Sequence, residues 1–156
     1  MRAMITLMLA LFLAAPLESQ PASQKKPAPA TQTAAEKLTV YRSRTCGCCG
    51  KWVQHMRDNG FEVTEHIVEH IENAPNRDRV PQKLQSCHIA TVRNYVIEGH
   101  VPADVVKEML QKRPQIEGIA VPGMPAGSPG MESPNPEPYE VIAFTKQGKS
   151  WVFAKR

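Results

Sequence analysis

The run Arg44-Thr-Cys-Gly-Cys-Cys-Gly-Lys-Trp52 puts Cys46, Cys48 and Cys49 into four positions. A thiolate is both a redox nucleophile and a soft metal ligand, so the cluster supports two kinds of chemistry. Cys46-x-x-Cys49 at a strand-to-helix junction has the spacing of a redox dithiol, and a structural disulfide uses the same two sulfurs. Either explanation leaves Cys48 without a role. A helix starting at this loop would hold the thiols near unpaired backbone N–H groups and the positive end of its dipole, which favours thiolate.

Further soft or borderline donors follow in loops: Cys87-His88, His100 in "EGHVP", and Met124 and Met131 in "VPGMPAGSPGME". Thiolate, thioether and imidazole together select Cu(I) over hard cations, and methionine is seldom a zinc ligand. Most methionines pack in cores. These two lie in a Pro/Gly loop without apolar periodicity, so a ligand role competes with packing. For His100 the alternative is a helix-capping or core histidine. His55, His66 and His70 read as surface residues, although His66-x-x-x-His70 has the spacing of a helical metal pair. Glu98 stands where it could hydrogen-bond an imidazole. A structural zinc site accounts for neither Cys48 nor the methionines. If metal and disulfide use the same sulfurs, oxidation of Cys46 and Cys49 is expected to abolish binding.

The elements that must position these residues are legible from periodicity. "KLTVYRS" alternates as a half-buried strand leading into the cysteine loop. Trp52, Val53 and Met56 then mark one face of a short helix that stops at Asn59-Gly60. Phe61, Val63 and Ile67 suggest a second strand, and Pro81 the start of a short helix. Two β-rich runs follow, Ile89 to Val92 and Tyr95 to Ile97, turning at Arg93-Asn94. Val105, Val106, Met109 and Leu110 form the buried face of an amphipathic helix between Pro102 and Pro114. This order predicts an α/β fold, a thioredoxin/glutaredoxin-like sheet with helices. "GIAVPGMPAGSPGMESPNPEP" reads as loop throughout, and a C-terminal β-hairpin turns at Gln147-Gly148. Thioredoxin-like proteins normally carry a cis-proline beside the active cysteines, where this chain has Cys87-His88.

The N-terminal apolar run Met4–Ala15 has the length of a secretory leader and is too short to span a membrane. Residues 1–19 are expected to be a signal peptide, 20–36 a disordered Pro/Ala-rich tether, and 37–156 one thioredoxin-like metal-binding domain. Export would place the cysteines in an oxidising compartment. The formal net charge is +4, with no basic stripe interleaved with aromatics, which argues against a nucleic-acid partner.

"CGCC-x-x-W", "SCH", "YVIEGHVPADVV" and "GIAVPGMPAGSPGME", in this order, resemble the exported copper-handling family of the CopG type. The resemblance spans Val40 to Phe153. It implies a thioredoxin-like fold, a periplasmic location, a role in copper resistance, and copper held by Cys46, Cys48, Cys49, Cys87, His88, His100, Met124 and Met131. Eight candidate ligands exceed the needs of one ion, so several coppers are expected. Other periplasmic copper carriers or exporters would be its partners, with no membrane span in the mature form. The alternative is a thiol-disulfide oxidoreductase using Cys46 and Cys49.

Overall fold

The computed structural model describes residues 34–156. The expected leader and most of the expected tether lie outside the described residues. The chain forms β1 (Lys37–Ser43), α1 (Gly47–Asp58) and β2 (Glu62–Val68), then three 3₁₀ turns at Ile71–Asn73, Arg77–Arg79 and Gln82–Leu84. It continues through β3 (His88–Val92), β4 (Tyr95–Glu98), α2 (Ala103–Lys112), β5 (Gly118–Ala120), β6 (Glu140–Phe144) and β7 (Ser150–Lys155). The strands make one mixed sheet in the order β2-β1-β3-β4-β5-β6-β7.

Strand alternation divides the core between the two faces of this sheet. Leu38, Val40, Ala90, Val92, Ile97, Ile119, Val141 and Ala143 pack with Trp52, Val53 and Met56 of α1 and Val105, Val106 and Met109 of α2. The other face carries Ile89, Val96, Ala120 and Phe144, covered by Ala74, Val80 and Leu84 from the 3₁₀ region. Crossover helices explain the two parallel pairs, since β1 reaches β2 through α1 and β4 reaches β5 through α2. The buried positions of α1 are Cys49, Trp52, Val53 and Met56, spaced so that one sulfur of the cluster lies on the core face.

Several expectations are met and others corrected. Gly60 has φ of +86° at the stop of α1, as the Asn59-Gly60 signal predicts. The segment after Pro81 is a single 3₁₀ turn, too short to count as a helix. Gly118–Ala120, expected to be loop, forms β5 between β4 and β6. Tertiary pairing there overrides a run dense in glycine and proline: a Cβ on Gly118 would lie 2.1 Å from the Val96 carbonyl oxygen, so only glycine permits the approach. The C-terminal hairpin extends the sheet beyond β5. Ile67, expected in a second strand, lies in β2, an edge strand, and is 41% exposed. Among the described residues there is no cis peptide, and none is long and apolar enough as a helix to cross a membrane.

The site depends on the β1–β3 pairing, which sets Arg42 opposite His88. The end of β1, and with it the cysteine loop, therefore meets the start of β3. The pairing of β4 with β5 sets Glu98 opposite Ala120, so the segments leading to His100 and to the Met124 loop leave the same sheet edge. Trp52 ties α1 to this edge by donating from Nε1 to the Val101 carbonyl at 2.8 Å. Trp52→Phe keeps most of the packing and strands that acceptor, so stability should fall by about 1–3 kcal/mol. Urea unfolding of the two proteins checks this, and equal midpoints would contradict it.

Candidate metal centre

Cys46 is the N-cap of α1, and Cys48 and Cys49 lie in its first turn. Cys46 and Cys49 form a disulfide, whereas Cys48 and Cys87 are free thiols. Cys48 Sγ lies 3.5 Å from Cys46 Sγ and 4.0 Å from Met124 Sδ. Cys49 Sγ lies 3.6 Å from the Cys87 carbonyl oxygen. The four sulfurs all fall within 4.8 Å of one another, close enough to share metal ions once the disulfide is reduced.

A second group of three donors, Cys87, His88 and His100, satisfies the same 4.8 Å limit and shares Cys87 with the first. Cys87 Sγ is 3.4 Å from His88 Nδ1 and 3.2 Å from His100 Nε2. His100 donates from Nδ1 to the Pro129 carbonyl at 2.8 Å, which leaves the Nε2 lone pair facing Cys87. A metal-binding imidazole is commonly fixed by such a bond from its other nitrogen. His88 is fully buried against Trp52, with ring centroids 4.5 Å apart, and its Nε2 has no hydrogen-bond partner among the described residues.

Burial sets the protonation of these donors. It holds both imidazoles below the ordinary histidine value, His88 far below with His100 adding to the effect, so neither needs to lose a proton before binding a metal. The Cys87 thiol is pushed up to about 11 by burial, with the Cys48 sulfur adding to it and the Ser86 hydroxyl opposing it. A metal must displace that proton.

The loop after β5 closes the site. Gly130 has φ of +86°, and a Cβ there would come within 2.5 Å of the Cys48 carbonyl oxygen, so glycine lets the loop rest on the start of α1. Within the loop the Met131 N–H donates to Ser128 and the Gly127 N–H to the Met131 carbonyl. Met131 is half-buried and lines a cleft with Gly47, Cys48, Lys51 and Glu132. Met124 is 53% exposed, at the mouth of the sulfur cluster.

The remaining candidates fall elsewhere. His66 and His70 are exposed, His66 stacked on Tyr41 with centroids 5.0 Å apart. His55, expected at the surface, is half-buried and accepts the Ala103 N–H at 3.1 Å, satisfying one of the unpaired donors at the start of α2. Glu98 does not reach an imidazole. Its Oε1 accepts from Arg77 Nη1 and from the Ser86 N–H, both at 2.5 Å, while Arg77 Nη2 donates to the Ser86 carbonyl at 2.7 Å. A buried ion pair thus grips both sides of Ser86, next to Cys87. The Ser86 hydroxyl donates to the Gly123 carbonyl at 2.8 Å, linking Cys87 to the residue before Met124. The roles of Arg77 and Ser86 were hidden because their main partners are backbone groups and a distant carboxylate, which carry no sequence spacing.

Fold and site define a mixed α/β domain with a cysteine-rich helix start able to hold metal. Residues 84–131 match the family described as "Protein of unknown function, DUF411". Two solved structures named copper resistance protein CopG, form 2 and form 1, are 38% identical to this chain. They superpose with TM-scores of 0.73 and 0.72, covering 78% of this chain and 98% of theirs. The chain belongs to this CopG family of copper resistance proteins. No curated protein matches it. The relationship and the cysteine cluster together support a copper-related role.

Burial raises the Glu98 carboxyl from its ordinary 4.5 to about 7, outweighing Arg77 and the Ser86 N–H, which pull it down. The folded state therefore keeps a proton that the unfolded chain releases earlier. This contribution to stability is complete below about 4.5 and disappears as pH rises through about 7. Glu98→Gln cannot ionise, so the stability of the parent relative to the variant should decline across that window. Thermal melts of both proteins from pH 4.5 to 7.5 test this, and a constant difference would contradict it.

Proposed function

We propose that this is an exported copper-binding protein that handles Cu(I) in copper resistance, using Cys46, Cys48, Cys49 and Cys87 with His88 and His100, and with Met124 and Met131 closing over the loop. The observation that carries the reading is the convergence of two donor groups on Cys87, one of four sulfurs and one of a sulfur and two imidazoles. Such a set suits a soft cation, and bridging thiolates would let it hold more than one. The copper resistance proteins that it resembles supply the biological context.

Export rests on the sequence of residues 1–19, and the tether on residues 20–36. Periplasmic copper carriers or exporters would be the partners for exchange. A thioredoxin-like ancestry is supported by the order β1-α1-β2 with a parallel pair, followed by the antiparallel β3-β4 pair and α2. The Cys46–Cys49 disulfide at the start of α1 favours a second reading, a thiol-disulfide oxidoreductase. Cys87-His88 in place of a shielding proline weighs against it.

Anaerobic competition titrations of the reduced protein should show Cu(I) retained against an equal concentration of Zn(II). Displacement by zinc would overturn the copper reading. Because the histidines are already neutral and the Cys87 proton must leave, the apparent Cu(I) affinity should rise with pH between about 7 and 9. A pH-independent affinity would exclude Cys87 as a ligand.

Met124→Leu with Met131→Leu keeps size and apolarity, so the fold should change in stability by less than about 1.5 kcal/mol. Copper affinity or stoichiometry should still fall, since leucine cannot donate to a metal. Parental copper binding with a sharply lower melting midpoint would make the methionines packing residues.

A further inference from the structure

Among the described residues, three that are not glycine have a left-handed backbone: Asn76 with φ of +66°, Arg93 with +52° and Arg113 with +48°. The conformation crowds an L side chain, so a residue other than glycine or asparagine there calls for a reason. Two of the three side chains supply one within the fold. Asn76 Oδ1 accepts from Arg79 Nη1 at 3.1 Å. Arg93 donates through Nε and Nη2 to the Glu36 carboxylate, and its Nη1 reaches the Leu110 carbonyl at 3.4 Å. Arg113 caps the C-terminal end of α2, where glycine is usual, and its guanidinium is exposed with no partner among the described residues.

That guanidinium stands at a cavity of about 520 Å³ enclosed by the end of α2, the β3–β4 turn and the β6–β7 turn. The β3–β4 turn lies at the opposite end of β3 from His88, so the cavity is separate from the metal centre. Lys146 and Thr145 line it from the β6–β7 turn, and Tyr95 and Ile116 supply apolar wall. Lys146 is exposed and, like Arg113, has no carboxylate partner among the described residues. The neighbouring carboxylates are already taken: Glu36 by Arg93, Glu108 by Lys112 and Glu117 by Arg79. Thr145 Oγ1 is buried without a hydrogen-bond partner, a position that a ligand acceptor would satisfy.

We propose that this cavity binds a dianionic phosphate group, held by the Arg113 guanidinium and the Lys146 ammonium with the Thr145 hydroxyl as a further donor. Two unpaired cations with no free carboxylate beside them match a dianion. A phosphate monoester carries about 1.5 to 2 negative charges at neutral pH, whereas a single carboxylate leaves one cation unmatched. The planar fork of arginine pairs with two phosphate oxygens at once, and lysine adds a compact charge. The left-handed backbone of Arg113 is retained, on this account, for a side chain that the fold itself does not use.

The test titrates the metal-free, full mature chain with inorganic phosphate while backbone amide shifts are followed by NMR. Saturating shifts should centre on Arg113, Thr145 and Lys146. Arg113→Gly relieves the backbone, so its melting midpoint should hold or rise while the dissociation constant for phosphate increases at least about tenfold. Lys146→Gln should weaken binding with an unchanged midpoint. Absent or unsaturable shifts in the parent, or parental affinity in the Arg113→Gly protein, would overturn the proposal. Vesicles of phosphatidylcholine with and without phosphatidic acid separate the sources of the phosphate. Sedimentation that requires both phosphatidic acid and Arg113 assigns it to a lipid headgroup, and saturable phosphate binding without sedimentation assigns it to a soluble ligand. No copper enters these measurements, so their outcome is independent of the function proposed above.

Discussion

The pairing of β1 with β3 is the constraint on which the site depends. Antiparallel register from Leu38–Val92 to Arg42–His88 brings the carboxyl end of one strand to the start of another. Cysteines about forty residues apart in the chain thereby come within 4.8 Å. A one-residue slip would turn every side chain of β3 to the opposite face and point His88 away from Trp52. The hydrophobic pattern resists that slip, because Ala90 and Val92 face the helices while Ile89 faces the 3₁₀ layer. Core packing and donor geometry are thus set by the same register.

Burial then does two opposed things to the donors. It keeps the imidazoles neutral and ready to bind, and it keeps the Cys87 thiol protonated, so a metal entering this pocket exchanges for a proton. Cys46, Cys48 and Cys49 stand at the N-terminal end of α1, where the helix leaves its first backbone N–H groups unpaired. Cys87 belongs to both donor groups and is held by the gripped Ser86 peptide. Rigid support on one side contrasts with the exposed Met124 on the other, where an ion would enter or leave.

The donors that the structure brings together, Cys46, Cys48, Cys49, Cys87, His88 and His100, stood out in the sequence as soft donors at loop positions, and periodicity placed α1, α2 and the first four strands. Met124 lies beside Cys48, while Met131 lines the adjacent cleft. What escaped the sequence was set by tertiary contact. β5 looks like loop because its glycine exists to admit the Val96 backbone. His55 looks like a surface residue because its partner, the Ala103 N–H, belongs to a helix 48 residues away. Glu98 was placed correctly near the site, but its partners are Arg77 and a peptide N–H, with no imidazole among them.

The central claim is that Cys87 is the shared ligand of both donor groups. Anomalous diffraction at the copper edge, from crystals of the reduced protein loaded with Cu(I), tests it most directly. The account predicts copper peaks within bonding distance of Cys87 Sγ, with His100 Nε2 on one side and the sulfurs of the α1 loop on the other. Copper peaks confined to the methionine loop or the exposed histidines, with Cys87 unligated, would contradict it.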